Sequence, residues 1–422
     1  MKKRFVIILG FFPVLVLGQS LSVQELILKK KESFLLKQYD QKLVNQQYER
    51  RLLNLDRLPV VYADANMQRN IIIPTTPVPA IAFDPNAQDG AILPLKFATK
   101  WNARAGIQLE WELFNPSTKS KQNELVLNAE KAELELASEE VKWQKEAILA
   151  YASVVLATEQ YHIAISDSSN YAKILNTIQT RHQEGRVGNS EYITAQQELE
   201  RKIIMRHEAW AVLQEANVEL NKYANLDPIQ FLSSDMTEIE KYIEQQVLNS
   251  YDVQLLETDK KIVLNQNLDI RRQLLPTLSM NGFYGQQFFS NDLNLVAKDA
   301  WYGSSFINLS IKVPISAYFS QGVAFKKVAL QEQLVDYQLQ ELAMNERNDL
   351  SIKQIKLLNL KKRLLGLLKI EELAITLEKE QYIKLTAGRI LVSDFQRSNS
   401  DLLKARQDVW EVKYDLIKEM MQ

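Results

Sequence analysis

Gly185-Arg186-Val187-Gly188-Asn189-Ser190-Glu191-Tyr192 recurs as Gly388-Arg389-Ile390-Leu391-Val392-Ser393-Asp394-Phe395, displaced by 203 positions, and Leu199 and Leu402 keep the same displacement. A glycine where a helix must reverse, then serine ahead of an acidic residue, reads as a helix C-terminus followed by the N-cap and first turn of a returning helix. Further upstream, Trp111-Glu112-Leu113 and Val313-Pro314-Ile315 align at a displacement of 202. The chain is therefore read as a duplication.

Working outward from the turns, Ser117 to Glu184 contains no Gly and no Pro and is rich in Ala, Leu, Glu, Lys and Gln, all strong helix formers. As one helix it would be about 100 Å long at about 1.5 Å per residue. Val323 to Ala387 repeats the feature with one interruption, Gly366, which costs about 1 kcal/mol relative to Ala but does not have to end so long a helix. Leu127, Leu134, Val141, Ile148 and Val155 form one seven-residue stripe, and Ala129, Leu136, Trp143, Ala150 and Ala157 form a second on nearly the opposite side. The other helix carries the same pair in Val328, Val335, Leu342 and in Leu330, Tyr337, Met344. Two opposed seams call for two neighbours, as in a ring of helices; a helix buried in a simple bundle is the other reading of the pattern.

Before each long helix the period changes to two. Ala103, Ala105, Ile107, Leu109, Trp111 and Leu113 alternate with Asn102, Arg104, Gln108, Glu110 and Glu112, and Ile307, Leu309, Ile311, Val313 with Asn308, Ser310, Lys312. Each run has an upstream partner, Val61 to Gln68 and Thr277 to Asn281. The length and alternation suit transmembrane strands with lipid on one face and water on the other, although an amphipathic sheet on a soluble core alternates in the same way. The loop inside the first hairpin is the longer and carries Pro74, Pro77, Pro79, Pro85 and Pro94, so an extended, exposed loop is expected.

The expected organisation is a signal peptide over 1–18 and two repeats. The first covers 19–227, with strands at about 58–70 and 101–115, a long helix over 117–184 and a returning helix over 190–224. The second covers 228–422, with strands at about 276–289 and 302–315, a long helix over 320–387 and a returning helix over 393–421. The leader has Met1, Lys2, Lys3, Arg4, then apolar Phe5 to Leu17, then Gly18 and Gln19, the layout of a secretory signal; as a membrane anchor it would be short for a bilayer core of about 30 Å. After it no continuous apolar run is long enough for a transmembrane helix, so a membrane role has to use strands. The chain has no cysteine, which leaves no disulfide framework and no acylated cysteine. A net charge of −1, or −4 without Lys2, Lys3 and Arg4, supplies no field for gripping nucleic acid.

With its strand entry Leu275-Pro276-Thr277-Leu278-Ser279, its strand exit Val313-Pro314-Ile315 and its tip from Gly388 through Asp401-Leu402-Leu403-Lys404-Ala405-Arg406, the mature chain resembles the TolC-like outer-membrane efflux protein family. The resemblance implies a mainly α fold with β: long antiparallel helices making an α-helical barrel in a homotrimer, and two strand pairs per chain contributing to a shared 12-stranded transmembrane β-barrel. Trimerisation also answers a physical demand, because four strands cannot close and open edges cannot sit in lipid.

The resemblance further implies an exit duct in the bacterial outer membrane with its helices in the periplasm. A periplasmic adaptor and an inner-membrane transporter would be its partners, and outer-membrane lipid its surroundings. Asp394 takes the place of an acid that narrows the periplasmic end in the family, and Glu191 is its counterpart in the first half. Arg397 stands where a further acid is usual and Ile390 where a basic residue is, beside Arg389, so the expected gate is a pairing of Asp394 with Arg397 or Arg389. Adaptor docking is expected at Gly185, Arg186, Val187, Gly188, Gly388, Arg389 and Ile390, where small residues admit another helical hairpin.

No catalytic constellation is present, and the chain reads as a non-enzyme that needs no cofactor. His162, His182 and His207 are not at metal-ligand spacing; His182, beside the turn, is a candidate pH sensor. The competing functional class is a non-pore periplasmic coiled-coil protein, structural or adaptor, which would account for the helices but not for two alternating strand pairs.

Overall fold

The structure, a computed structural model, describes residues 21–224, 232–246 and 249–422. The expected signal peptide and the expected boundary between the repeats at 227/228 fall outside those residues. In chain order the elements are α1 (Val23–Leu28), α2 (Phe34–Leu55), β1 (Val60–Arg69), β2 (Thr76–Pro79), β3 (Ile92–Leu95), β4 (Trp101–Phe114), α3 (Ser117–Gln183), α4 (Asn189–Ala224), α5 (Met236–Glu244), α6 (Asp252–Arg272), β5 (Thr277–Ser290), β6 (Trp301–Lys312), α7 (Ala317–Thr386) and α8 (Val392–Met421). They group into two compact units: one of helices (residues up to 41, 133–255 and 339–422) and one that holds the strands (42–132 and 256–338). Both units draw on both repeats, because each long helix contributes to each.

In the strand-bearing unit the two hairpins merge into one antiparallel sheet in the order β1-β4-β5-β6. The β4–β5 pairing across the repeats runs from Trp101 opposite Ser290 to Phe114 opposite Leu278, with a bulge between Glu112 and Phe114. Register keeps the alternation intact: Val61 faces Leu109, Leu109 faces Gly282 and Gly282 faces Ile307, all on the apolar face. Glu110, Asn281 and Asn308 align on the polar face. β6 ends at Lys312 because Pro314 cannot donate to a ladder. Among the described strands, β1 and β6 each pair on one side only.

The polar face has a packed feature of its own. Gly106 and Gly285 sit opposite each other, and a Cβ at Gly106 would lie 2.7 Å from the Phe283 ring and 2.5 Å from the Tyr284 carbonyl. The missing side chains let Phe283 fold flat across the ladder, and the Arg104 guanidinium stacks on it with its carbon 3.6 Å from the ring centroid. Beyond β1, the proline-rich loop forms the two-stranded ribbon β2–β3.

The core of the helical unit gathers Trp143, Ala147, Ile148, Tyr151, Ala152 and Val154 of α3 with residues of α1, α4, α5 and α8. Its polar pin is Tyr151, whose hydroxyl donates to the Leu21 carbonyl at 2.7 Å and accepts from the Ser234 N–H at 2.9 Å. Burial of the phenol raises its pKa. Leu21 and Leu232 form a parallel bridge, so the starts of the two repeats meet at this tyrosine. Both short helices that follow open on a capping box, Ser22 with Glu25 and Asp235 with Glu238. By length and composition alone α3 holds a stretch apolar enough to cross a membrane, and its residues Trp143, Ala147, Ile148, Tyr151, Ala152 and Val154 are buried in this core.

Candidate functional site

Within the helical unit, the ends of α3 and α7 are closed by the same device. Gly185 and Gly388 adopt φ of 72° and 71°, the left-handed conformation that costs a glycine nothing. The Arg186 N–H bonds the Arg181 carbonyl at 2.8 Å and the Gly185 N–H the His182 carbonyl at 3.0 Å; Arg389 to Lys384 and Gly388 to Leu385, each at 2.9 Å, repeat the pattern. These are Schellman turns, and each satisfies carbonyls that a helix end leaves without partners.

The returning helices begin one residue earlier than the expected 190 and 393, and two earlier than serine N-caps would place them. α4 starts at Asn189 and α8 at Val392, with Leu391 as an N-cap that makes no side-chain bond. Ser190 and Ser393 therefore lie inside their helices and are not the caps. Glu191 and Asp394 do fall in the first turns, where the helix dipole favours a carboxylate. A cleft of about 210 Å³ lies between the two starts, lined by residues that include Ser190, Glu191, Val392 and Ser393.

What ties the two hairpins together is a set of residues the sequence did not single out. Arg181 Nη2 donates to the Leu385 carbonyl at 2.7 Å and the Thr386 carbonyl at 2.8 Å, so a cation from α3 satisfies the open carbonyls of α7. Tyr171 accepts a short hydrogen bond from Gln396 of α8. Further along, Asp167 and Lys202 form an ion pair of 3.0 Å with side chains only 8% and 7% exposed. Asn399 donates to the other oxygen of Asp167 at 2.9 Å, which joins α8 to the pair. An apolar cluster of Tyr171, Ile174, Ile178, Leu385, Val392 and Phe395 fills the space around these bonds.

The residues expected at the tip are distributed as follows. Gly185, Arg186, Gly188, Gly388 and Arg389 are exposed, while Val187 and Ile390 are half-buried against the apolar cluster. Arg186 makes an exposed ion pair with Glu184 at 3.4 Å. Asp394 and Arg397 are exposed and Glu191 half-buried. Among the described residues no ion pair joins Asp394 to Arg397 or Arg389 within the chain. His182 stacks on Tyr192, the ring centroids 5.1 Å apart, and its Nδ1–H donates to the Val187 carbonyl at 2.9 Å, so it braces the turn.

No protein-family model and no curated protein matches this sequence. Solved structures do match. The Campylobacter jejuni CmeC outer membrane channel superposes with a TM-score of 0.71 at 15% identity, over 94% of this chain and 84% of that one. The outer membrane protein VceC of Vibrio cholerae gives 0.70 at 12% identity, over 94% of each chain. The open-state MtrE outer membrane channel of Neisseria gonorrhoeae gives 0.68 at 15%, over 94% and 88%. The fold of this chain is the TolC-like fold shared by these outer-membrane proteins, with its long helices and few antiparallel strands.

Proposed function

We propose that this chain is one protomer of a homotrimeric outer-membrane channel, a passive exit duct for cargo that an inner-membrane transporter drives through a periplasmic adaptor. The observation that carries the reading is the four-stranded sheet. Its apolar face is exposed at Val61, Ile107, Ile307, Leu309 and Ile311, its other face is polar, and among the described strands both its edges lack partners. Such a sheet is incomplete as a monomer; three copies supply the twelve strands of a closed barrel, with lipid outside and water inside. Bare apolar side chains along α7, among them Leu330, Tyr337, Met344 and Leu358, fit the same assembly.

In that assembly the paired tips make the periplasmic mouth. Glu191 and Asp394, repeated three times, line a cation-favouring throat, with Arg397 and Arg389 as their gating partners from neighbouring helices. The exposed Schellman turns at Gly185 to Gly188 and Gly388 to Ile390 form the adaptor-docking surface. Purified protein from outer-membrane fractions, reconstituted in planar bilayers, should conduct ions, and Asp394→Ala with Arg397→Ala should raise the conductance. Unchanged conductance would remove these residues from the gate. Absence of the protein from outer-membrane fractions, with no conductance, would leave a non-pore coiled-coil protein as the better description.

A further inference from the structure

The ends of the strands determine how one copy's sheet meets the next. Within the chain, the row of residues through Asn308 passes through Asn281 and Glu110 to Val60. If the next copy continued that row without displacement, the strands would stand upright, whereas closed barrels tilt their strands by about 35–45°. With a rise of about 3.3 Å per residue and strands about 4.8 Å apart, twelve strands displaced by two residues per copy would tilt by about 19°, by four about 35°, by six about 46° and by eight about 54°. Odd displacements would turn the apolar face of one copy into the polar face of the next. Only four and six remain.

The direction is given by the overhang. β6 continues past Asn308 to Lys312, while β1 starts at Val60 and α2 ends at Leu55. Displacement toward the start of β1 would bring Lys312 against α2. Displacement the other way sets it opposite Val60, which pairs β1 along its whole length, or opposite Tyr62, which pairs β1 from Tyr62 to Arg69.

Resting on the trimeric-channel reading, we propose that β6 of one copy pairs antiparallel with β1 of the next, displaced by four or six residues toward the C-terminal end of β1. Asn308 then lies opposite Asp64 or Asn66 of the neighbouring copy. The same register brings Ile71, 93% exposed in the isolated chain, beside Trp301 or Gly303 of its neighbour. Trp301 is already braced on Phe288, ring centroids 5.4 Å apart, and offers an apolar wall at the outer rim. The bare isoleucine two residues beyond the end of β1 is thus a seam residue between copies.

The chain has no cysteine, so paired cysteines test the register directly in the full-length protein, on the water face where substitutions leave the apolar face intact. Variants carrying N308C with D64C, N308C with N66C, and N308C with V60C are first run as native assemblies and then treated with a short thiol-bridging reagent. We expect efficient bridging between copies in one of the first two and none in the third. Bridging through V60C, or none in any variant that runs as a trimer, overturns the register and leaves the channel reading standing. If unmodified protein and variants are all monomeric before treatment, the channel reading fails and the register with it. Ile71→Ser should lower the temperature at which detergent-resistant trimers dissociate without altering helix content; an unchanged temperature places Ile71 in lipid and overturns the seam.

Discussion

The helices α3 and α7 hold equivalent places in the two repeats and carry the same two opposed seven-residue stripes, yet the chain treats them differently. On α3 Ile148 and Val155 are buried on one side and Trp143, Ala150 and Ala157 on the other, and the earlier stripe residues such as Leu134 and Leu136 are half-buried. On α7 the stripe residues Val328 and Val335 are buried, while Leu330, Tyr337 and Met344 of the second stripe stand exposed. A bare apolar stripe on a helix this long stays costly in water until something covers it. The difference teaches that one repeat completes its packing inside the protomer and the other keeps a face for a neighbouring copy.

The largest expected effect separates those two roles. Ile148→Asp buries an unpaired charge in the α3 core and should abolish folding, read as loss of the cooperative melt; the milder Ile148→Ala should cost about 2–5 kcal/mol. Leu330→Asp with Tyr337→Asp should leave helix content intact and abolish the trimer in sedimentation. If both substitutions unfold the monomer, the two helices do not differ in the way their exposure indicates.

A second asymmetry lies at the level of the ion pair. The positions displaced by 203 from Asp167 and Lys202 are Ile370 and Ala405, so the repeat that keeps the buried pair faces one that has replaced it with apolar residues. Asp167→Ala alone leaves the buried Lys202 only the more distant Glu198 carboxylate at 3.8 Å and should cost up to about 3–5 kcal/mol in chemical unfolding. Asp167→Ile together with Lys202→Ala copies the second repeat and should cost far less. Equal losses would mean that the pair contributes through its attraction and not through the penalty of breaking it.

The smallest effect concerns pH. Tyr223 of α4 has its phenol pushed up to about 12, first by burial and then by the Glu146 carboxylate it bonds at 3.2 Å. Its ordinary value is 10.0. Below that value both folded and unfolded chains hold the proton and stability is complete; between about pH 10 and 12 the unfolded chain ionises first and stability falls. Tyr223→Phe removes this contribution, so Tm should decline less steeply across that window than in the parent protein. An identical slope would assign the alkaline loss to the buried Tyr151 and Tyr171 and the half-buried Tyr242 and Tyr414, all raised by burial.

Much of the site's outline was legible because it is written in neighbouring residues. Gly185 and Gly388 announce their turns through a conformation that only glycine takes freely, and the absence of Gly and Pro from 117–184 announces a helix. The serines misled, since a serine before an acid is also an ordinary pair inside a first turn. α1 and α5 escaped notice although Ser22 with Glu25 and Asp235 with Glu238 are capping boxes; helices of six and nine residues carry too little periodicity to show by pattern. Arg181 and the Asp167–Lys202–Asn399 group left no local trace, because Arg181 and Asn399 bond residues 204, 205 and 232 positions away.

The sequence by itself determined the duplication, the two long helices, the alternating strands and the glycine turns, all set by backbone preference and by apolar spacing within a few residues. Only the tertiary structure decided that β4 pairs with β5 to make one sheet, that Tyr151 pins the starts of both repeats, and that the second stripe of α7 is left bare. Those outcomes depend on which surfaces meet after distant segments are brought together, and the free energy of burial is assigned by that meeting.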